Sequence, residues 1–294
     1  MTRIAPILTF DIEEWFHLLE CPSVPGVEGW GKLESRVEQS TDCLLELLAR
    51  HQLTATFFVL GWVAERYPAL LRRIAQFGHE IGCHSHVHSL VHRQTPDEFR
   101  EETRHALEAI SVAVSAPVRL YRAPGFSLTR DCAWAFEVLA ELGFEIDCSV
   151  FPGTHAHGGS AGAFPGAPFR IEASGRILHE FPASLVRVGP LHLAFAGGGY
   201  FRLLPIGVIS RLAARSPYTM TYFHPRDFDA GQPRISGLSR RRAFRAYVGI
   251  EGALRKLDRL LTELGGQSVG AADRTFDWER SPVVRVGAGL SKVV

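Results

Sequence analysis

The stretch "TATFFVLGWVAERYPALLRRIAQFGHEIGCHSHVH", Thr54 to His88, decides the fold. Its opening run "TATFFVLG" (54–61), rich in β-branched and aromatic residues, reads as a buried strand. "YPALLRRIAQFG" then places Pro68 in a first helical turn and Gly78 just past the last apolar position, the usual asymmetry of a helix. "EIGCH" (80–84) is a second short strand. Strand, helix and strand in this span make a βαβ unit, whose two strands run parallel.

The alternation continues on both sides. Upstream, "IAPILTF" (4–10) reads as a strand, and Val37, Thr41, Leu44, Leu45 and Leu48 recur at the spacing of a crossover helix. Downstream, "TPDEFREETRHALEAISVAV" has the clearest helix start in the chain, with Thr95 as N-cap, Pro96 after it and Glu98 placed for a capping box. "VRLYRAP" (118–124), "FEIDCSV" (144–150), "ILHEFPASLV" (177–186) and "YTMTYFH" (218–224) are further strands, with helices at about 131–142 and 203–214. Cys148 to Phe169 reads as a long surface loop. So many βα units in one chain predict a parallel sheet, and favour a barrel over an open sheet. A long basic helix is expected from Ser239 to Leu264, and the Gly-rich stretch after Gly265 is expected to fray.

The 294 residues are 46% hydrophobic, enough for one barrel-sized core. A net charge of +1 gives no broad field for nucleic acid, so a small or neutral partner is expected. The five cysteines form no CxxC pair and leave one over in any disulfide scheme, which points to a reduced compartment. Cys83, beside His84, reads as a small buried hydrophobe. The apolar run before Asp11 is too short for a signal-peptide core, so a cytoplasmic location is expected, with peripheral contact at the inner membrane through the basic helix. Oligomeric state is open.

Polar clusters fall at the ends of the predicted strands: "FDIEEWFH" at Phe10, "HSHVH" at His84, "YRAPGF" at Tyr121, "IDCS" at Ile146 and "YFHPRDF" at Tyr222. In a parallel barrel these C-terminal strand ends share one face. His84 and His88 reach one ion if the backbone turns helically between them, while His86 points elsewhere. Two histidines and a carboxylate suit zinc or a similar divalent ion, and "DIEE" offers the carboxylate.

"LTFDIEEWFH", "GHEIGCHSHVH", "YRAPGF" and "TYFHP", in this order, resemble the polysaccharide deacetylases of carbohydrate esterase family 4, the NodB homology domain. The resemblance covers about residues 4–230. "GGGYFRLLP" (197–205) and the basic helix resemble the subgroup found with exopolysaccharide and exosortase loci. The fold implied is a distorted (β/α) barrel of about seven parallel strands over residues 1–235, with a packed basic helical extension at 236–265 and a flexible tail at 266–294.

The resemblance also implies roles. Asp11 matches the general base, Arg122 the arginine that orients it, and His224 the late histidine that serves as general acid. His84 and His88 match the metal ligands, with Ser85 as support. The family's second adjacent aspartate is replaced by Ile12, which a strand turns to the opposite face; Glu13 returns to the face of Asp11 and is the expected third ligand, with Glu14 the alternative. Asp147 matches a supporting aspartate that tunes the late histidine, although the accompanying tryptophan is missing; Asp227 could also help. Trp15, Phe126 and Tyr200 are expected walls for sugar rings, with Phe16 and Phe201 as further candidates. His17 and His92 are candidate supporting groups, whereas His79 and His105 read as surface positions.

The function implied is metal-dependent removal of N-acetyl groups from a sugar of a polysaccharide or lipid-linked glycan precursor, with zinc as the first candidate ion and cobalt or nickel as others. A hydrolase of small cyclic amides, a non-catalytic carbohydrate-binding protein and an iron oxygenase are the competing readings.

Overall fold

A computed structural model describes residues 5–188, 191–216 and 218–287. The βαβ unit forms as the sequence predicts: β2 (Thr56–Val59) and β3 (Glu80–Cys83) pair in parallel, Thr56 opposite Glu80 and Val59 opposite Cys83. The crossover holds two helices, α3 (Gly61–Arg66) and α4 (Pro68–Gln76), because Pro68 cannot continue α3 and starts a new helix instead. β1 (Thr9–Ile12) lies on the other side of β2, also parallel, and α2 (Val37–His51) makes the crossover after the short α1 (Val27–Trp30). α5 (Pro96–Val114), β4 (Leu120–Tyr121), α6 (Trp134–Glu141) and β5 (Ile146–Asp147) continue the pattern.

The capping box expected at Thr95 is present. Its hydroxyl accepts from Glu98 N, and the Glu98 carboxylate accepts from Thr95 N at 2.8 Å. Replacing an N-cap hydroxyl costs about 1 kcal/mol, so Thr95→Ala is expected to lower stability by that amount in urea unfolding, with activity unchanged.

After β5 the chain leaves simple alternation. β6 (Thr154–His155) and β7 (Gly158–Gly159) form a small hairpin, and β8 (Phe169–Ala173) turns through Ser174 and Gly175, both at positive φ, into antiparallel β9 (Arg176–Glu180). Such a two-residue turn matches the twist of a hairpin. β10 (Val186–Val188) pairs with β11 (Leu191–Leu193), and α7 (Gly198–Leu203) and α8 (Ile206–Arg215) follow where one helix is expected, separated at Pro205.

The main sheet has eight strands in the order β1-β2-β3-β4-β5-β9-β8-β12, the last being Val283–Arg285, and only the β8–β9 pair is antiparallel. On the free side of β1, the expected strand at 218–224 appears as isolated parallel bridges, Ile7 to Met220 and Phe10 to Phe223. The ladder does not run on from this segment to β9. Instead the Tyr218 hydroxyl donates to Pro182 O at 2.8 Å and Met220 N donates to Ser184 Oγ at 2.7 Å, side-chain bonds where the proline leaves no backbone donor.

Alternation along the strands separates two cores. Phe10, Ile12, Phe57 and Val59 face outward to helices α2 and α4, while Phe58 faces the barrel interior with Met220 and Tyr218. Thr9 and Asp11 share that interior face, where the buried Arg122 guanidinium bonds both.

The C-terminal region departs from expectation twice. The long helix is two, α9 (Arg240–Tyr247) and α10 (Ile250–Leu264), broken at Gly249. Gly249 has φ +68°, and a Cβ there would lie 2.6 Å from Arg202 O, so the break needs glycine. Residues 266–287 carry a helix and a strand where a weakly patterned stretch is expected. α11 (Val269–Thr275), capped by Ser268, buries Val269 and Ala272 at the end of the barrel where the strands begin, and its N–H groups bond Thr56 Oγ1 and Glu80 Oε2. β12 (Val283–Arg285) then joins β8 in parallel. The weak apolar pattern misled because the sheet, not a second helical face, supplies its partners. Residues 288–294 of the expected tail lie outside the described residues. Among the described residues no helix is long and apolar enough to cross a membrane.

Candidate active site and metal centre

The C-terminal ends of β1, β3 and β4 and the segment after Phe223 open onto one cleft of about 460 Å³. β1 delivers two carboxylates to it, because Asp11 and Glu13 lie two apart while Ile12 packs on the other side. Glu14 turns away: its carboxylate accepts from Ser35 Oγ and from Arg36 N at 3.0 Å, at the start of α2.

Glu13 Oε1 stands 3.1 Å from His84 Nε2 and 2.9 Å from His88 Nε2. The two histidines do not converge through a helical turn. Ser85 and His88 both have positive φ, 66° and 62°, and His88 N donates to Ser85 Oγ at 3.1 Å. Each left-handed non-glycine residue costs on the order of 1 kcal/mol, a strain that concentrates at functional sites.

The donor set fits a cation. His84 Nδ1–H donates to Arg122 O at 2.7 Å, which in the neutral ring leaves the Nε2 lone pair facing the Glu13 carboxylate. Among the described residues the buried His88 Nε2, although 2.9 Å from Glu13 Oε1, has no partner in hydrogen-bond geometry. Two imidazole lone pairs and a carboxylate converging within 4.8 Å of one another need a positive charge between them. The neighbouring histidines hold the Glu13 carboxyl well below its ordinary value, although its burial alone would raise it.

Beside this cluster, Asp11 Oδ1 accepts from Arg122 Nη1 at 2.8 Å. The guanidinium also bonds Thr9 Oγ1, Cys148 O and Met220 Sδ and lies 4.3 Å from the Phe58 ring centroid, so it has a single orientation. His224 Nε2 is 3.9 Å from Asp11 Oδ2 and 3.7 Å from Glu13 Oε1, too far for hydrogen bonds.

The other face of His224 meets Asp227, one of the two acids the sequence offered, and through it Arg202, which the sequence reading missed. Its Nδ1–H donates to Asp227 Oδ2 at 3.1 Å; Asp227 Oδ1 accepts from Arg202 Nε at 3.1 Å; and Arg202 donates to Val248 O at 2.8 Å and Arg245 O at 2.9 Å. Lys256 Nζ in turn binds the carbonyls of Phe201, Arg202 and Leu204. Helices α9 and α10 thus brace the histidine through two buried side chains. Burial disfavours the imidazolium, but Glu13, Asp227 and Asp11 outweigh it and raise the His224 pKa above its ordinary value. Burial likewise opposes ionisation of Asp227, but Arg202 and His224 hold its carboxyl well below the usual range. Nothing in "GGGYFRLLP" marks Arg202 as buried, since its partner Asp227 lies 25 residues on.

Asp147 does not take that place. It accepts from Ser149 Oγ at 2.6 Å and lies beside Glu180, deep under the β4–β5 strand ends. Burial raises both carboxyls, Glu180 the more. Ser149 Oγ in turn accepts from Ala123 N at 2.8 Å.

Of the expected walls, Phe126 and Tyr200 line the cleft and Trp15 does not. The Trp15 indole donates to Glu34 O at 2.8 Å, which holds the ring away on the outer side of the loop. Phe16 and Phe201 are core residues. His17 does line the cleft: its Nδ1 accepts from Glu14 N, and burial, then the nearby His88, lowers its pKa to about 3, so it is neutral. His92 approaches Ser127 O at 3.4 Å and is not among the residues lining the cleft. His79, expected at the surface, is buried near Phe57, and burial lowers its pKa to about 4. Cys83 is buried, its thiol pushed up to about 12.

Residues 8–146 match the polysaccharide deacetylase family, a span that holds Asp11, Glu13, His84, His88 and Arg122. Residues 148–272 match a domain of unknown function, DUF3473, which supplies Arg202, His224 and Asp227, so the cleft is assembled from both matched segments.

A peptidoglycan-N-acetylglucosamine deacetylase of Bacillus cereus is 34% identical over 98 residues, 33% of this chain and 36% of the relative, so the chain spans about a third of that protein's length. A solved structure of a Mycobacterium smegmatis protein assigned as a polysaccharide deacetylase aligns over 93% of both chains with a TM-score of 0.62 and 18% identity, a likeness of fold. A CE4 family pseudoenzyme from Bacillus anthracis aligns over 91% of this chain and 63% of its own with a TM-score of 0.50 and 14% identity.

Proposed function

We propose that the chain is a metal-dependent N-deacetylase that removes acetyl groups from an N-acetylated sugar of a polysaccharide or a lipid-linked glycan precursor. The observation that carries this reading is the convergence of Glu13, His84 and His88 beside the Asp11–Arg122 pair and His224 in one cleft. Glu13, His84 and His88 would hold the divalent ion, zinc first and cobalt or nickel as alternatives. When bound, the ion supplies Lewis acidity, making a water more acidic and polarising the amide carbonyl.

The chain's own groups do the rest. Asp11, oriented by Arg122, takes the proton of the attacking water. His224 is protonated beforehand, because three carboxylates surround it, and it donates to the departing sugar nitrogen. Ser85 holds the backbone of His88, and Phe126 and Tyr200 offer faces on which a sugar ring stacks. Tyr200, Leu203 and Phe244, each 45% or more exposed at the rim, leave the cleft open to a chain, which favours a glycan over a small cyclic amide. The likeness of "GGGYFRLLP" to proteins of exopolysaccharide loci supports a role in exopolysaccharide synthesis.

The test is acetate release from N-acetylglucosamine oligomers and lipid-linked glycan extracts by metal-stripped and by zinc- or cobalt-restored protein, beside Asp11→Asn. Metal-dependent release lost in the variant is expected. Stoichiometric metal with no release from any glycan would replace the proposal with the small-amide hydrolase or the binding protein.

Asp227→Asn has a predicted signature of its own. A neutral amide removes one of the charges that raise the His224 pKa, and the acid form of His224 is present only below that pKa. The alkaline limb of the rate profile therefore moves to lower pH, with kcat reduced about 10- to 100-fold, as for other groups that orient a reacting side chain.

A further inference from the structure

The cleft has a rim whose charge the proposed reaction does not use. Arg226, Arg242 and Arg245 line it beside Tyr200, Leu203 and Phe244. The carboxylates of the same cleft are engaged: Asp11 with Arg122, Asp227 with Arg202, and Glu13 among the histidines. Among the described residues none of the three rim arginines has a carboxylate within 4 Å. The Arg242 guanidinium donates to the carbonyls of Leu19 and Glu20, and the Glu20 carboxylate is paired with Arg93 and His157.

The helix that carries two of these arginines is itself unusual. α9 reads RRRAFRAY and buries none of its residues. Polar contacts hold it at the cleft: the Ser239 cap, the Arg242 bonds to the loop after β1, and the Tyr247 hydroxyl, which accepts from Ile235 N at 2.7 Å. With none of its side chains fully buried, α9 is held at the cleft mouth chiefly by these polar contacts. The whole chain carries +1, so this positive charge is local to the cleft mouth.

We propose that the rim is a subsite for an anionic group of the substrate, a carboxylate or a phosphate attached beyond the sugar whose acetamide reaches Asp11 and His224. This rests on the deacetylase reading and names its substrate class: an acidic glycan, or a sugar joined to a diphosphate. Arginine suits such groups because its planar fork matches carboxylate and phosphate oxygens, and Tyr200 and Phe244 beside it offer stacking faces for the intervening ring. The basic helix then faces substrate, not a membrane.

The test is equilibrium binding by calorimetry to the zinc-loaded full chain carrying Asp11→Asn, so that turnover does not intervene and failure of the deacetylase reading is visible separately as absence of acetate release by the parent protein. Three probes are used: chitotetraose, a hyaluronan tetrasaccharide, and N-acetylglucosamine 1-diphosphate. The expected result is that one or both anionic probes bind about tenfold or more tighter than chitotetraose at low salt, and that the advantage shrinks at high salt. Whichever anionic probe wins identifies carboxylate or phosphate as the source. Arg245→Gln, at an exposed position, is expected to remove most of the advantage, and Arg226→Gln with it the remainder. Equal affinity for all three probes would overturn the proposal. So would an Arg245-dependent affinity for phosphatidylglycerol vesicles with no discrimination among glycans, which would assign the arginines to a membrane.

Discussion

Glu13→Gln is expected to abolish stoichiometric zinc binding, whereas Glu14→Gln leaves it intact. The two residues are neighbours in sequence and opposite in environment. Glu13 Oε1 lies within 3.1 Å of both ligand histidines, and its carboxyl is buried. Glu14 is spent on Ser35 and on the free N–H groups at the start of α2. Replacing the only anionic member of a three-donor set leaves two neutral imidazoles, and affinity is expected to fall by more than about 100-fold, since groups that merely support ligands already cost 10- to 100-fold. Zinc retained after dialysis, read by elemental analysis on both variants with matched circular dichroism, decides it. Equal retention by the two variants would place the ion elsewhere; loss in Glu14→Gln alone would exchange their roles.

Asp11→Asn is expected to keep its metal and lose acetate release by about 10²- to 10⁴-fold, the range over which a positioned general base acts. The isosteric amide is chosen because Arg122 is fully buried against Asp11. Truncation to alanine removes the acceptor as well as the charge, and leaving a buried guanidinium without its partner costs about 3–5 kcal/mol. The pair of variants therefore separates chemistry from folding: Asp11→Asn loses rate with a near-parental melting curve, and Asp11→Ala loses both. If Asp11→Asn retains parental kcat, Asp11 is not the base, and the cleft is closer in behaviour to a binding site.

The strand and helix alternation was legible because each element meets the same surroundings along its length. Thr56–Val59 is buried throughout, and Phe99, Thr103, Ala106 and Ile110 line one side of α5. The same periodicity placed Asp11 and Glu13 together across Ile12. It failed where partners come from far away. α11 and β12 carry little apolar pattern, and they fold because Thr56, Glu80 and β8 were already positioned to receive them. Trp15 looked like a sugar wall from its place in "DIEEWFH", but one bond to Glu34 O decides its direction.

The sequence by itself determined which residues share a strand face, which segments cross over, and that carboxylates and histidines stand at strand ends, because side-chain direction repeats every two residues in a strand and about every 3.6 in a helix. Tertiary structure alone decided that Asp147 lies away from His224, that Arg202 is buried behind Asp227, and that α9 lies along the cleft. These depend on contacts between segments 25 to more than 200 residues apart, and a buried arginine becomes tolerable only where the fold brings a carboxylate and two free carbonyls to it.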